Sequence, residues 1–239
     1  MVRNQSQAAA KKRKEQLEQI LSDLHNLNCN LYTREVYMHG YYNDYDEPGV
    51  EYRMATTFEK NIRLLDQQDQ TNILVHMHTF GGEWNDGMAM YDIIRFVKSP
   101  VTIIGYSWAR SMSSIIPQAA DLRILLPDCD FMVHYGWYGE ENQWTAAMSS
   151  MEYAKRSEER MLRVYAKRCI NGEYFQNRYK SLTEEKVMEF LDKKMRERGD
   201  WWIGSEEAVY YGFADGVLGQ PGFETFEKTR IKKKVKLEL

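Results

Sequence analysis

Three side chains in this sequence carry the functional groups of an acyl-transfer site: an alcohol at Ser111, an imidazole at His134 and a carboxylate at Asp200. Such chemistry needs a nucleophile, a base, a group that orients the base, and N–H donors for the oxyanion. Ser111 stands in the run Gly105-Tyr106-Ser107-Trp108-Ala109-Arg110-Ser111-Met112. The β-branched residues Val101 to Ile104 before it predict a buried strand, Gly105 breaks that strand, and small residues open a short apolar helix near Ser111. A serine at the mouth of a helix sits among unpaired backbone N–H groups and the positive end of the helix dipole, a setting that suits an oxyanion. The same position is also filled by serines that only cap the helix. His134 closes a predicted strand, Phe131 to His134, where a loop begins; read alone it is a structural histidine. Asp200 lies beside Trp201 and Trp202, and read alone it is an exposed loop carboxylate. Gly81-Gly82 ends another predicted strand and lets backbone approach a substrate with no side chain between.

The elements that must hold these groups alternate. Strands are predicted at Arg34 to Gly40, Ile73 to His78, Val101 to Ile104, Arg123 to Leu126 and Phe131 to His134. A polar, turn-rich stretch from Tyr41 to Gly49 follows the first. One helix spans roughly 52–67, and Met90, Ile93, Ile94 and Val97 mark the core face of a second that stops at Ser99-Pro100. Trp144 to Lys167 reads as one long helix whose apolar stripe (Trp144, Met148, Met151, Leu162, Tyr165) is interrupted by a charged middle, Lys155 to Arg160. Such a helix projects and packs against another subunit. Thr183 to Lys194 is a further helix, with Ser181 and Glu184 as its capping box, and Ser205 to Tyr210 a short one. The expected fold is therefore α/β, a mostly parallel sheet flanked by helices, with functional groups at strand ends.

Residues 32–219 hold these elements and form the main domain. Residues 1–31 stand apart as a basic amphipathic extension, with Lys11 to Lys14 followed by Leu17, Ile20, Leu21 and Leu24. They are expected to pack on their own domain or on a neighbouring subunit. Residues 220–239 read as a weakly packed basic tail. Across the 239 residues a hydrophobic content of 43% supports a real core, and a net charge of −3 gives neither a nucleic-acid nor a membrane footprint. The 3 cysteines, Cys29, Cys129 and Cys169, have no metal-ligand spacing and fit free thiols in a reducing compartment. With no secretory or membrane-spanning pattern, a cytoplasmic location is expected. No cofactor is called for. His76 and His78 lie two apart on one strand but lack a third ligand, so a structural role is expected. Ser107 is a near miss for a Gly-x-Ser-x-Gly elbow.

Taken together in chain order, these residues resemble the Clp protease family. The matching blocks are Phe80-Gly81-Gly82 with Gly87 to Asp92, Gly105 with Ala109 to Met112, Met132 to His134, and Asp200 with Ile203 to Gly212 and Asp215. The resemblance implies Ser111 as nucleophile, His134 as general base and Asp200 as its orienting acid, with the Gly82 and Met112 N–H groups as the oxyanion hole. It also implies a crotonase-like fold, two stacked seven-membered rings enclosing a chamber, the long helix as a handle between rings, and a separate AAA+ unfoldase that feeds unfolded polypeptide to a serine endopeptidase. Three positions depart from the family pattern: Arg110 replaces a small residue, Phe80 a proline and Ser113 a glycine. A guanidinium at Arg110 could stabilise negative charge or crowd the site. Two rival classes are a catalytically silent ring subunit and a crotonase-type acyl-CoA enzyme, in which a Ser-His-Asp set has no role.

Overall fold

The computed structural model describes residues 2–40, 49–136 and 143–235, with residues 2–9 as backbone only. Almost all of the turn-rich stretch from Tyr41 to Gly49 lies outside them. Six strands form the main sheet: β1 (Cys29–Asn30), β2 (Glu35–Met38), β3 (Ile73–Met77), β4 (Val101–Gly105), β6 (Leu122–Leu125) and β9 (Gly216–Val217). Their spatial order is β1-β2-β3-β4-β6-β9, parallel throughout except for the antiparallel β1 edge. Every residue of β3 and β4 is buried. Both strands are near-continuous apolar runs, as strands covered on both faces must be.

On one face lie α2 (Tyr52–Gln68) and α3 (Trp84–Phe96), which make the crossovers between parallel neighbours. Helix α2 turns Met54, Phe58, Ile62 and Leu65 inward, the helical spacing legible in the sequence. Glu51 caps its start by accepting from the Met54 N–H at 3.1 Å. The opposite face carries a smaller apolar cluster, Leu74, Ile104 and Ile124, with Tyr106, Leu218 and Phe223 packed on it.

That second cluster corrects the expected loose tail. Residues 223–235 lie across the outer face of the sheet and are bonded to it. The Thr102 hydroxyl donates to the Thr229 carbonyl at 2.8 Å, Arg230 pairs with Glu35 at 3.0 Å, and the Lys234 ammonium donates to the Ile94 carbonyl at 2.8 Å. The basic residues of this segment are its anchors, because the strand ends and Asp121 offer carbonyl and carboxylate partners.

Two further expectations change. Helix α7 (Glu184–Arg198) is capped by Thr183, which accepts from the Lys186 N–H at 3.4 Å, not by Ser181. Thr183 adjoins the first helical residue in extended conformation, whereas the Ser181 carbonyl takes the Lys186 ammonium. The strand expected to lead directly into the Ser111 helix is followed by an additional short strand, β5 (Trp108–Arg110). The long helix α5 (Trp144–Cys169) forms as expected and has a split character. Trp144, Met148 and Met151 are exposed, while Leu162, Tyr165 and Cys169 are buried.

One ion pair ties the sheet to the chain's last third. The buried Arg123 guanidinium grips Asp215 through Nε at 2.9 Å and Nη2, and its Nη1 reaches the Gln118 side chain at 2.7 Å. Burial alone would raise the Asp215 pKa, but the Arg123 charge and its hydrogen bonds outweigh that and hold it below the usual carboxylate range. A depressed native pKa gives stability that is present above the unfolded-state value and lost as pH falls through the native one. Asp215→Asn leaves Arg123 buried without its counter-charge. It is expected to cost roughly 3 kcal/mol and lower the melting temperature by roughly 6–12 °C near neutral pH. Calorimetry should show the gap between wild type and variant closing in acid.

Candidate active site

A second, smaller sheet brings the three candidate side chains to one edge. It consists of β5, β7 (Asp130–Val133) and β8 (Trp201–Ile203), in the order β5-β7-β8. Strand β5 runs parallel to β7, with Arg110 opposite Met132; β8 runs antiparallel to β7, with Val133 opposite Trp201. The residue after β5 is Ser111, the residue after β7 is His134, and the residue before β8 is Asp200. Two parallel exits and one antiparallel entry therefore fall at the same end of the sheet. The Ser111 N–H donates to the Met132 carbonyl at 3.2 Å, extending the ladder to the serine itself.

Ser111 has φ 52° and ψ −129°, one of three non-glycine residues with positive φ among the described residues. Backbone in that region is strained for any residue with a Cβ. Ser111 precedes α4 (Met112–Ile115), but its side chain makes no capping bond. The plain-cap reading of this serine therefore does not describe it, and its hydroxyl is left to the adjoining cavity. Helix α4 is one turn long and continues as a 3₁₀ turn, Ile116–Ala119, so local N–H groups outweigh any summed dipole here.

Hydroxyls of the following residues brace the strained turn. The Ser113 hydroxyl donates to the Thr79 carbonyl, and the Ser114 hydroxyl to the Ser111 carbonyl, each at 2.7 Å. The Ser114 and Tyr165 hydroxyls also share a 2.7 Å hydrogen bond. Ser113, where the family pattern has glycine, thus ties the Ser111 turn to the loop carrying Gly81-Gly82.

That loop approaches as closely as backbone can. Gly81 has φ +100°, and a Cβ there would lie 2.7 Å from both the Arg110 carbonyl oxygen and the Ser111 Cβ. Gly82 forms a bridge with Val50, where a Cβ would meet the Val50 carbonyl oxygen at 2.2 Å. Both positions exclude a side chain. Among the described residues, neither the Gly82 nor the Met112 N–H donates to another group of the chain.

The His134 Nδ1 lies 3.0 Å from Asp200 Oδ1. Its Nε2 is buried and has no hydrogen-bond partner among the described residues. Ser111 and His134 line one cavity of about 380 Å³, together with Gly82, Met112, Ile115 and Met161. Helix α5 forms one wall and is held by the Tyr153 hydroxyl, which donates to the Asn85 side chain at 2.7 Å.

The loop after β7 is fastened to α7. The Tyr135 hydroxyl donates to Asp192, which also accepts from Arg196 Nε at 3.0 Å, and the Arg196 guanidinium lies 5.1 Å over the Tyr135 ring. Burial and the adjacent Asp192 carboxylate push the Tyr135 phenol well up. Burial would raise Asp192, yet the hydrogen bonds from Tyr135 and Arg196 hold it low. The same helix ends at Gly199, with φ +70°, and delivers Asp200. One helix thus fixes both partners of the His134–Asp200 bond. Tyr135 and Asp192 escaped the sequence reading because nothing in their spacing relates them.

The lesser candidates are not among the residues that line this cavity. His76 is buried, stacked 4.6 Å from Tyr37 and hydrogen-bonded to the Tyr106 hydroxyl at 2.9 Å, while His78 is exposed. No group of three or more metal-ligating side chains occurs among the described residues. Ser107 occupies a bend whose carbonyl accepts from the Asp130 N–H. Cys29, Cys129 and Cys169 are free and buried, and burial pushes the Cys129 thiol up to about 12. Such thiols are inert.

Comparison with known proteins gives the class. The fold is the Clp protease fold: a ClpP1 mutant from Listeria monocytogenes superposes with a TM-score of 0.61 at 20% identity, over 83% of this chain and 96% of that one. The family model for Clp protease matches residues 47–221, and the chain belongs to that family. It is 28% identical over 174 residues to the ATP-dependent Clp protease proteolytic subunit of Deinococcus radiodurans, covering 72% of this chain and 77% of the relative. The subunit of the same name from Streptococcus equi subsp. equi is 29% identical over 174 residues, 71% of this chain and 80% of its own. The chain is a serine-protease-type hydrolase.

The backbone at Ser111 makes its own prediction. Ser111→Gly is expected to raise stability over Ser111→Ala by roughly 1 kcal/mol, since strain relief exceeds the entropic cost of glycine. Thermal unfolding of the two variants checks it.

Proposed function

We propose that Ser111, His134 and Asp200 form the catalytic triad of a serine endopeptidase that cleaves unfolded polypeptide. The observation that carries this reading is the shared edge of the small sheet. There the His134–Asp200 bond is formed, and the unpartnered His134 Nε2 and the uncapped Ser111 hydroxyl line one cavity. Asp200 accepts the Nδ1 proton of His134 and so leaves the Nε2 lone pair for the serine. His134 takes the Ser111 proton as Oγ attacks the peptide carbonyl, then returns it to the leaving amine. The Gly82 and Met112 N–H groups, free of other partners, donate to the oxyanion. Water repeats the sequence and releases the acyl-enzyme.

The silent-subunit reading drew on Arg110, and that residue is not among those lining the cavity. Its side chain lies against aromatic rings instead. The relatives are named as ATP-dependent proteolytic subunits, which supports service by an AAA+ unfoldase; the homo-oligomer of two stacked heptameric rings is taken over from the family resemblance. The exposed apolar residues of α5, Trp144, Met148 and Met151, suit the handle of such an assembly. Among the described residues no helix is long and apolar enough to cross a membrane.

A fluorophosphonate probe tests the nucleophile. Wild type should be labelled, and Ser111→Ala should not be. His134→Ala and Asp200→Ala are expected to lower kcat on a fluorogenic peptide by roughly 10³-fold or more, with the assembly unchanged by light scattering. Normal turnover in either variant overturns its assigned role. Gly81→Ala, which pushes a methyl group into the Ser111 turn, is expected to cut kcat by roughly 10²-fold. A fall smaller than about threefold would show that the turn can give way.

A further inference from the structure

We propose that Arg110 is a positioning residue whose guanidinium clamps the three site-bearing segments into one block by stacking on Phe80, Trp108 and Trp202. Its Cζ lies 5.2 Å from the Phe80 ring centroid, 5.1 Å from that of Trp108 and 5.8 Å from that of Trp202. All three separations fall within the range of cation–π attraction. Among the described residues the half-buried Arg110 side chain makes no ion pair and no hydrogen bond, so no carboxylate competes with the rings for it.

Each ring belongs to a different part of the site. Phe80 immediately precedes the Gly81-Gly82 turn, Trp108 opens the strand that leads into Ser111, and Trp202 lies two residues after Asp200. The pairing explains how they meet. Arg110 and Trp202 both stand opposite Met132, one from each side of β7, and therefore share a row of the small sheet. Phe80 reaches that row because Gly81, lacking a Cβ, lets its loop close on the Arg110 carbonyl. A planar guanidinium can stack on several rings at once, which an ammonium does less well. Two departures from the family pattern, Phe80 and Arg110, are thus the two halves of one contact.

The clamp itself is independent of the triad reading; its effect on turnover rests on that reading. The experiment uses the full-length assembled protein, with amide hydrogen exchange read by mass spectrometry beside peptide hydrolysis. Arg110→Ala is expected to speed exchange roughly tenfold in peptides spanning 80–83, 109–113 and 200–203, and little elsewhere. It should lower kcat roughly tenfold or more with KM within about twofold, the signature of lost alignment rather than lost binding. Arg110→Lys should recover part of both effects, and Arg110→Met, which keeps the stem without the charge, should recover neither. Unchanged exchange in those three segments, or a methionine variant as good as the lysine one, overturns the clamp. Should Arg110→Ala fail to assemble, the lysine–methionine comparison decides the matter, and Phe80→Leu must reproduce the looser exchange or the clamp falls. If wild type resists the fluorophosphonate probe, the triad reading fails, while the exchange pattern still decides the clamp.

Discussion

The site depends on strand direction in a sheet of only three strands. Because β5 and β7 run together and β8 runs against them, two exits and one entry coincide at one edge, and residues far apart in the chain become neighbours. Reversing any strand would send its functional residue to the far end of the sheet. The pairing register matters as much as direction, since a one-residue slip turns each side chain to the other face. Helices α4 and α7, packed against its strands, supply the support that lets so small a sheet keep its register.

Strain and close approach concentrate where that edge meets the Gly81-Gly82 loop. Ser111 sits at positive φ without the excuse of glycine, and such geometry persists only where its surroundings over-determine it. Here they do: the Ser113 hydroxyl holds Thr79, and the Ser114 hydroxyl holds the Ser111 carbonyl and Tyr165. The two glycines remove the side chains that would otherwise stand between the turn and the loop. Rigid placement of a serine hydroxyl beside free N–H donors is the kind of preorganisation that the proposed oxyanion stabilisation requires.

Much of this was legible beforehand, and what was not has physical causes. Strands β3 and β4 announced themselves as apolar runs and α2 by helical spacing, because each buries a long face; α5 shows the same spacing although only its C-terminal half is buried. His134 was legible at the end of an expected strand and Ser111 at the mouth of an expected helix. Asp200 stood out only beside two tryptophans after a charged helix, and the resemblance to the Clp family implied the three roles. Strand β5 was missed because three residues, one of them a half-buried arginine, carry no alternating pattern. The Tyr135–Asp192–Arg196 cluster joins elements through contacts that no spacing encodes. The tail was misjudged because lysines and arginines usually mark solvated surface. Here Arg230 finds a carboxylate on strand β2 and Lys234 a backbone carbonyl near the end of helix α3.

Helix α5 links the site to whatever surrounds the molecule. Its buried C-terminal half anchors it in the core and places Tyr165 on the Ser114 hydroxyl, within reach of the serine turn. Its middle supplies Ala154, Ser157 and Glu158 to the cavity wall. Its first turns carry Trp144, Met148 and Met151 out into solvent, where so much apolar surface is costly to leave uncovered. One helix is therefore core at one end, cavity wall in the middle and uncovered apolar surface at the other. The same helix that walls that cavity thus also touches, through Tyr165 and Ser114, the turn that carries Ser111.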